Sequence, residues 1–354
     1  MQASSLQFLT RLVETPGPVG HEGPVQEVFR DYVTPHADEV FELGHGSVAA
    51  IRNPKGSPRV IVTGHADEIG LIVHHIDSKG FLFVRGLGGV DPATLVASRF
   101  DVHTASGVIP AVAGRKPIHL QENEERTKVS KLSQLYLDIG ARSKKEAERK
   151  VRPGDPITYA TGVTRLGKDL ISSKSLDNRA GVFCAAETLR RLGRAKPGAC
   201  VIALSTVGEE IGGDGAGTSA FELEPDVAIA IDVTFASDQP DISLTDACEI
   251  TLGGGPTLGR GPRLNQTLLQ RLERTAKRAK ISVQYDVIQG RTGTDGDPIY
   301  RSRRGVPLAV VGLPSRYMHS PVEVVSLSDL DNASKLLSAF VRELTPRARF
   351  APFA

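Results

Sequence analysis

The chain has 354 residues, of which 40% are hydrophobic and 24% are charged, and its formal net charge is +2. At roughly 100–200 residues per domain, this length suggests about two domains with a large buried core. The near-neutral charge gives no reason to expect nucleic acid or an anionic membrane as a partner. Because no apolar stretch reaches about 18 residues and the N-terminus lacks a basic start before a long apolar block, we expect neither a membrane span nor a signal peptide.

The three cysteines predict reduced thiols. Cys184, Cys200 and Cys248 are far apart and form no CxxC pair. The first two lie in apolar runs, so buried thiols are favoured over a disulfide or a metal role. Since reduced thiols are typical of a reducing compartment, we predict a cytoplasmic protein.

The N-terminal part of the chain predicts a helix followed by a buried strand. Apolar residues repeat at helical spacing over 25–33. Pro24 suits the first helical position because its φ angle is already restricted. The run RVIVTG at 59–64 then indicates a strand with both faces buried.

From about residue 71 the pattern changes to short β-like runs with many glycines. LIVHHIDSKGFLFVRGL predicts a hairpin, and further runs follow through SRFDVHTASGVIPAVAG. We therefore predict a small β-rich domain, a barrel or a sandwich, over 71–162. Within it, the polar segment 120–134 predicts a solvated loop. Ser143 and Glu146 form a capping-box pattern at the start of a short helix.

From about residue 163 apolar strands alternate with amphipathic helices. The predicted strands are ACVIALSTV, DVAIAIDV and VPLAVVGL, and helices begin after Asp177, near Asn265 and close to the C-terminus. Such alternation indicates a sheet that is buried on both faces. We predict an α/β fold, with a mixed sheet sandwiched by helices and a small β-barrel-like domain inserted into it. Residues 1–70 and 163–354 would form the α/β domain around the insert.

Residues with metal-ligand chemistry follow the predicted strands or precede a predicted helix. In open α/β sheets, ligands bind just beyond the carboxyl ends of the strands, so these separate segments can converge on one spot. The residues at these positions are His65, Asp67, Asp177, Glu209, Glu210, Asp232 and His319.

Each of these residues also has an ordinary structural explanation. Asp177 suits a helix N-cap, Asp232 could cap a helix or turn, and His319 could be a core histidine. The adjacent Glu209 and Glu210 could be a solvated pair, although they stand between an apolar strand and a Gly-rich turn. It is improbable that so many residues of metal-ligand type lie at one sheet edge by chance. We therefore favour a shared site.

The residue types indicate which cofactors this site would hold. Two histidines and three carboxylates without a thiolate suit Zn, Co or Mn. One carboxylate can bridge two ions about 3.5–4 Å apart. The set then divides into His65 with Asp232 on one ion and Glu210 with His319 on the other, with Asp177 shared. We predict two divalent metal ions that acidify a water and polarise a carbonyl.

Asp67 and Glu209 are left without a metal ion. Asp67 follows His65 by two residues, so on an extended strand both side chains face the same way. Its carboxylate can therefore accept the second ring N–H of His65 and orient the imidazole. Glu209 is placed to act as a general base, taking a proton from the water and passing it to the leaving amine.

As an ordered set, these segments resemble the M42 family of metallo-aminopeptidases. The matching pieces cover nearly the whole chain and include TPGPVGHEG, GHADEIG, SLDNRAG, GEEIGGDGA, AIDVTFASD and LPSRYMHSPVEVV. The resemblance implies peptide substrates, a catalytic α/β domain interrupted by a barrel-like dimerisation domain, and homo-oligomers that often close into a tetrahedral dodecamer. Matched motif to motif, it implies the same ligand, base and orienting residues.

The sequence departs from the family pattern in two places. The turn after the glutamate pair carries Asp214 where many relatives carry an arginine, which leaves the local pocket charge open. The loop QGRTGTDGD resembles a substrate-side loop but includes Arg291, so we infer no side-chain preference from it. Thr294 and Asp295 in this loop either shape the pocket or make turn hydrogen bonds.

Three other functions compete with the aminopeptidase. A deacylase acting on an N-acyl amino acid or amino sugar would use the same ligands and the same amide hydrolysis. A glycosidase needs two carboxyls about 5–9.5 Å apart across one bond, and the chain offers no Trp and only 5% aromatic residues for sugar stacking. A non-enzymatic role would predict missing ligands, and none is missing. The family resemblance therefore favours the aminopeptidase.

Overall fold

The computed structural model describes residues 1–350 and consists of a large mixed sheet covered by helices together with a closed barrel. The helices are α1 Ala3–Glu14, α2 Gly23–Val33, α3 Pro92–Leu95, α4 Asn123–Arg126, α5 Lys144–Glu148, α6 Leu176–Leu192, α7 Asp214–Leu223, α8 Gln266–Ala279, α9 Gly296–Tyr300 and α10 Leu327–Arg342. None of the described helices has the length and apolar character that crossing a membrane requires.

The strands alternate with these helices along the chain. They are β1 Glu39–Glu42, β2 Val48–Arg52, β3 Arg59–His65, β4 Gly70–Ile76, β5 Leu82–Leu87, β6 Arg99–Thr104, β7 Gly107–Ala113, β8 Tyr136–Asp138, β9 Pro156–Tyr159, β10 Thr164–Leu166, β11 Leu170–Ser173, β12 Cys200–Thr206, β13 Val227–Phe235, β14 Thr257–Arg260, β15 Gln284–Val287, β16 Leu308–Arg316 and β17 Glu323–Ser326. Short 3-10 turns occur at Thr34–His36, Ile118–Leu120, Leu132–Gln134 and Glu209–Ile211.

The large sheet has a parallel centre and antiparallel edges. Its main order is β1-β2-β12-β3-β13-β16-β17-β11-β10, and β14 joins β15 to β16. The four central strands β12, β3, β13 and β16 run parallel, so their carboxyl ends lie along one edge. This edge is where ligands bind in open α/β sheets.

Both faces of this sheet are buried, as the continuous apolar strands predict. Along β13, Val227, Ile229 and Ile231 pack into a core with α1, α2, α6, α8 and α10. The alternate residues Ala228 and Ala230 pack into a second core with α7 and α9. Because successive side chains on a strand point to opposite faces, one apolar run serves both cores.

The inserted segment forms a closed barrel with strand order β4-β5-β8-β7-β6-β9. Its interior holds a separate apolar cluster that includes Leu71, Phe100 and Leu137. The first and last barrel strands pair with each other, so the chain enters and leaves the barrel at neighbouring positions. The predicted fold class is confirmed, and the barrel alternative is the one observed. The domain limits at 70/71 and 162/163 stay a prediction.

Several local features differ from the sequence-based expectations. The segment 120–134 is largely exposed, but it contains α4 and the 3-10 turn Leu132–Gln134 rather than loop alone. The capping box before α5 is only half formed: the Ser143 side chain accepts from the Glu146 amide, whereas Glu146 accepts from the amide of Arg142. Helix α1 and the β1–β2 hairpin were not predicted, although α1 carries apolar residues at helical spacing.

Candidate active site

The predicted site residues meet at the carboxyl edge of the parallel strands. His65 is the last residue of β3 and stands beside Thr206, where β12 ends. Asp232 lies beside Gly312 of β16, and β13 continues to Phe235. The predicted strand DVAIAIDV therefore continues two residues beyond its expected end at Val233. His65 and Asp232 are almost fully buried, at 1% and 5% exposure.

Asp177 lies between two groups of side chains. Its Oδ1 is 3.2 Å from His65 Nε2, and its Oδ2 is 3.2 Å from His319 Nε2. On the first side, Asp232 Oδ1 is 3.9 Å from His65 Nε2. On the second side, Glu210 Oε1 is 3.4 Å from His319 Nε2. The two oxygens of one carboxylate thus face two separate imidazoles, each with a further carboxylate beside it.

The backbone around Asp177 is not helical, although it falls within the bounds of α6. Asp177 has φ −79° and ψ 107°, and Asn178 is also outside the helical region. Asn178 Nδ2 donates to the Ile231 carbonyl at 2.8 Å, which ties this segment to β13. Asp177 is therefore presented toward the sheet edge and does not act as an N-cap.

Glu323, which was not predicted from the sequence, holds the backbone of two site residues. Its Oε2 accepts from the Asp177 amide and its Oε1 from the His319 amide, each at 3.0 Å. The side chain is 2% exposed. Glu323 lies in the motif MHSPVEVV, but nothing in its spacing shows that it reaches back to Asp177.

Asp67 contacts both His65 and the glutamate pair. Asp67 Oδ1 lies 3.4 Å from His65 Nδ1, and the backbone carbonyl of Asp67 lies 3.2 Å from the same nitrogen. The Asp67 carboxylate also accepts from the amides of Glu209 and Glu210, at 3.2 and 3.1 Å. These contacts keep Nε2 of His65 directed at the carboxylates.

A buried ion cluster next to Asp67 was also not predicted from the sequence. Glu68 is 2.6 Å from Lys174 Nζ and 2.9 Å from Arg179 Nη2, and it also accepts from the Ser175 hydroxyl. Although burial opposes ionisation, Lys174 and Arg179 lower the pKa of Glu68 to about 2. The cluster links Glu68, three residues after His65, to the chain on either side of Asp177.

The site has an excess of negative charge that divalent cations would balance. Hydrogen bonds to Asp177 and Glu210 raise the pKa of His319 to about 11. Burial raises the pKa of Glu209 to about 8, and burial raises that of Asp232 well above its ordinary value. Ligand atoms of His65, Asp177 and Glu210 all lie within 4.8 Å of one another. Buried imidazole and carboxylate donors at this spacing fit divalent transition metals.

A cavity of about 760 Å³ opens over this cluster. Its walls include Phe235 and Leu244, together with the polar residues Thr294, Asp286 and Arg291. Thr294 Oγ1 also accepts from the Gly296 amide at 3.0 Å, so it both lines the cavity and makes a turn hydrogen bond.

The structure places Asp295 and Asp214, whose surroundings could not be determined from the sequence. Asp295 is buried beneath the site, where Oδ2 accepts from the hydroxyls of Thr206 and Thr63 at 2.5 and 3.3 Å. Asp214 begins α7.

Comparisons with known proteins identify the family of this chain. The sequence profile of the M42 glutamyl aminopeptidase family matches residues 46–336. The chain belongs to the M42 family. It is therefore a metal-dependent exopeptidase of the aminopeptidase class.

Relatives of this M42 enzyme align over nearly its whole length. It is 37% identical to a lysyl aminopeptidase of Pyrococcus furiosus, with 96% of this chain and 97% of the relative covered. The crystal structure of a TET aminopeptidase from a marine sediment thaumarchaeote has a TM-score of 0.92 at 34% identity, with 97% of both chains covered. The TET1 peptidase of Pyrococcus horikoshii, which can assemble into a tetrahedron or a large octahedral shell, has a TM-score of 0.86 at 28% identity, covering 96% of this chain and all of the other.

Proposed function

We propose that this M42 enzyme releases single amino acids from the free N-terminus of peptides at a site for two divalent ions. The observation that carries the two-ion assignment is the position of Asp177, whose two carboxylate oxygens each lie 3.2 Å from the Nε2 of a different histidine. His65 and Asp232 would hold one ion, Glu210 and His319 the other, and Asp177 would be shared. Zn, Co or Mn suits this donor set.

The remaining site residues support the reaction without binding an ion. Bound divalent ions supply Lewis acidity, which acidifies water and polarises the scissile carbonyl. Glu209 lines the cavity and serves as the general base that moves a proton from water to the leaving amine. Its raised pKa would fall beside cations, because opposite charge favours the ionised carboxylate. Asp67 orients His65 through Nδ1.

The experiment that tests this function compares free and blocked substrates. Protein loaded in turn with Zn, Co and Mn is incubated with aminoacyl-p-nitroanilides, short peptides and their N-acetylated forms. We expect release only from the free N-termini. Cleavage confined to the acetylated forms would indicate the deacylase instead, and no release from any substrate with metal bound would reject both. The family match does not favour the deacylase or the glycosidase.

We also propose that the enzyme prefers a basic residue at the N-terminus of its substrate, as the name of its lysyl aminopeptidase relative suggests. Asp286 is partly buried in the cavity wall, and its Oδ2 accepts from the Thr234 hydroxyl at 2.7 Å. Thr234 follows Asp232 by two residues on β13, which places it about 6.6 Å farther along the same face. Because its partner is a neutral hydroxyl, the Asp286 carboxylate can receive a cationic side chain of the substrate. The other charged residue of this wall, Arg291, is exposed.

Asp286→Asn should therefore reduce activity selectively. We expect kcat/KM for lysyl- and arginyl-p-nitroanilide to fall about 10- to 100-fold, because a hydrogen bond to a charged group contributes about 1.5–3 kcal/mol. The leucyl substrate should change by less than about threefold, since it makes no charged contact. Asp246→Asn, at an exposed acidic residue of the same cavity, is the matched control. An equal loss on all three substrates would contradict the assignment.

We further propose that the chain forms homo-oligomers in which the barrel makes the dimer contact, and that the dimers build a tetrahedral dodecamer. The support for the assembly is the dodecamer of one TET1 structure and the tetrahedron or octahedral shell that the related TET1 peptidase can form. The barrel contact follows from the family resemblance. Light scattering coupled to size-exclusion chromatography separates a dimer from a dodecamer directly.

A cytoplasmic location is also proposed, because Cys184, Cys200 and Cys248 are all free.

A further inference from the structure

The loop that follows β5 reaches from the barrel onto the second half of the candidate metal site. The carbonyl oxygen of Gly89 lies 2.9 Å from His319 Nδ1. The preceding Gly88 approaches Glu210 so closely that a Cβ placed on it would lie 3.0 Å from Glu210 Oε2. The two glycines therefore contact the two residues assigned to the same ion, and neither contact comes from the sheet domain.

We infer that Gly89 is a positioning residue for the ion held by Glu210 and His319. A carbonyl oxygen only accepts, so the contact requires the proton of the neutral imidazole to be on Nδ1. When an ion replaces the proton on Nε2, this nitrogen would offer its lone pair to the ion, and it faces Asp177 and Glu210 at 3.2 and 3.4 Å. An outer hydrogen bond of this kind fixes the tautomer and the ring orientation of a metal-binding histidine.

His319 needs this contact more than His65 does. The side chain of His319 is 34% exposed, whereas that of His65 is 1% exposed and is held by Asp67. The backbone of His319 has φ +61°, which is unusual for a residue with a side chain, and its amide is held by Glu323. The Glu323 contact places the backbone of His319, and the Gly89 contact places its ring.

Only glycine fits at position 89 without moving the ring. A Cβ there would lie 2.8 Å from His319 Nδ1 and 2.9 Å from Cε1. Gly89 is exposed and its φ lies outside the left-handed region, so alanine should be tolerated by the backbone itself. The cost of Gly89→Ala therefore falls on the imidazole, which must shift or rotate away from its carboxylate partners.

The test measures metal affinity, which separates this inference from the proposed peptidase function on which it rests. Metal-free wild type, Gly89→Ala and Gly114→Ala are titrated with Co²⁺, and the bound ions are counted and followed by their visible absorption. Gly114 is the matched barrel control, because the nearest atom to a Cβ there is 3.8 Å away. We expect Gly89→Ala to weaken one of the two ions about 10- to 100-fold and to alter its absorption band. Gly114→Ala should bind both ions with the affinity of wild type. In Gly89→Ala, the affinity for the other ion and the melting temperature of the metal-free protein should be unchanged.

A double-mutant cycle makes the inference specific to His319. If Gly89 acts through this ring, Gly89→Ala should have no further effect on the remaining ion in a His319→Ala background. Unchanged affinity for both ions in Gly89→Ala would overturn the inference, as would equal weakening of both ions or a further loss in the His319→Ala background. A wild type that binds only one ion would instead refute the two-ion site itself.

Discussion

Glu209→Gln should lose most turnover while keeping its metal. Glu209 lines the cavity beside the ligand cluster, with Oε2 3.9 Å from His65 Nε2, and its amide is held by Asp67. Glutamine keeps the size and the backbone contact of this residue but cannot take a proton. We expect kcat to fall about 10²- to 10⁴-fold, the range that general base catalysis contributes. Steady-state kinetics and metal analysis on the same preparation measure both properties.

The neighbouring residue provides the control for this variant. Glu210→Gln changes the same group one position along the chain, but Glu210 faces His319 and is assigned to an ion. It should lose metal as well as activity. Comparable activity in Glu209→Gln and wild type would remove Glu209 from the base role, and loss of metal in Glu209→Gln would show that it is a ligand.

The candidate site was predictable where it depends on strand ends. His65 follows an apolar run and lies at the end of β3, and Glu209 and Glu210 begin the short turn that starts three residues after the end of β12. Parallel strands bring such positions together whatever the details of packing. The sequence therefore predicted the group of residues that the structure brings together around Asp177.

The supporting contacts were not predictable, because they join segments that are distant in the sequence. Gly89 and His319 are 230 residues apart, and Glu323 and Asp177 are 146 apart. Gly89 lies in the loop after β5, and Glu323 is the first residue of β17, so neither follows the carboxyl end of a central parallel strand. Their roles depend on how the barrel lies against the sheet domain and on the turn after β16, which hydrophobic periodicity does not specify.

The fold shows the same division between local and long-range information. The helix over Gly23–Val33 and the central strands have clear periodicity and were predicted close to their observed bounds. The β1–β2 hairpin was missed, because its strands are short and β1 has a half-exposed pattern without a strict alternation. It is held in place largely by pairing with β12, which is a tertiary contact.

Asp177→Ala should lose both ions at once. The two oxygens of Asp177 each face a different histidine, at 3.2 Å, so one substitution removes a ligand from each half of the site. It also leaves His65 and His319 without the carboxylate between them. We expect metal analysis after dialysis to find neither ion and peptide hydrolysis to fall to the level of the buffer blank. Because the backbone amide of residue 177 still donates to Glu323, the metal-free protein should keep its fold.

Asp232→Ala is the informative comparison, because Asp232 faces only the His65 side. This variant should retain one ion, held by Glu210, His319 and Asp177, whereas Asp177→Ala retains none. A shared ligand predicts that difference, since its loss affects both ions and the loss of an unshared ligand affects one. Two ions still bound in Asp177→Ala would refute the bridging assignment. One ion lost in each variant would mean that Asp177 serves the same ion as Asp232, and the division of the site between His65 and His319 would then have to be redrawn.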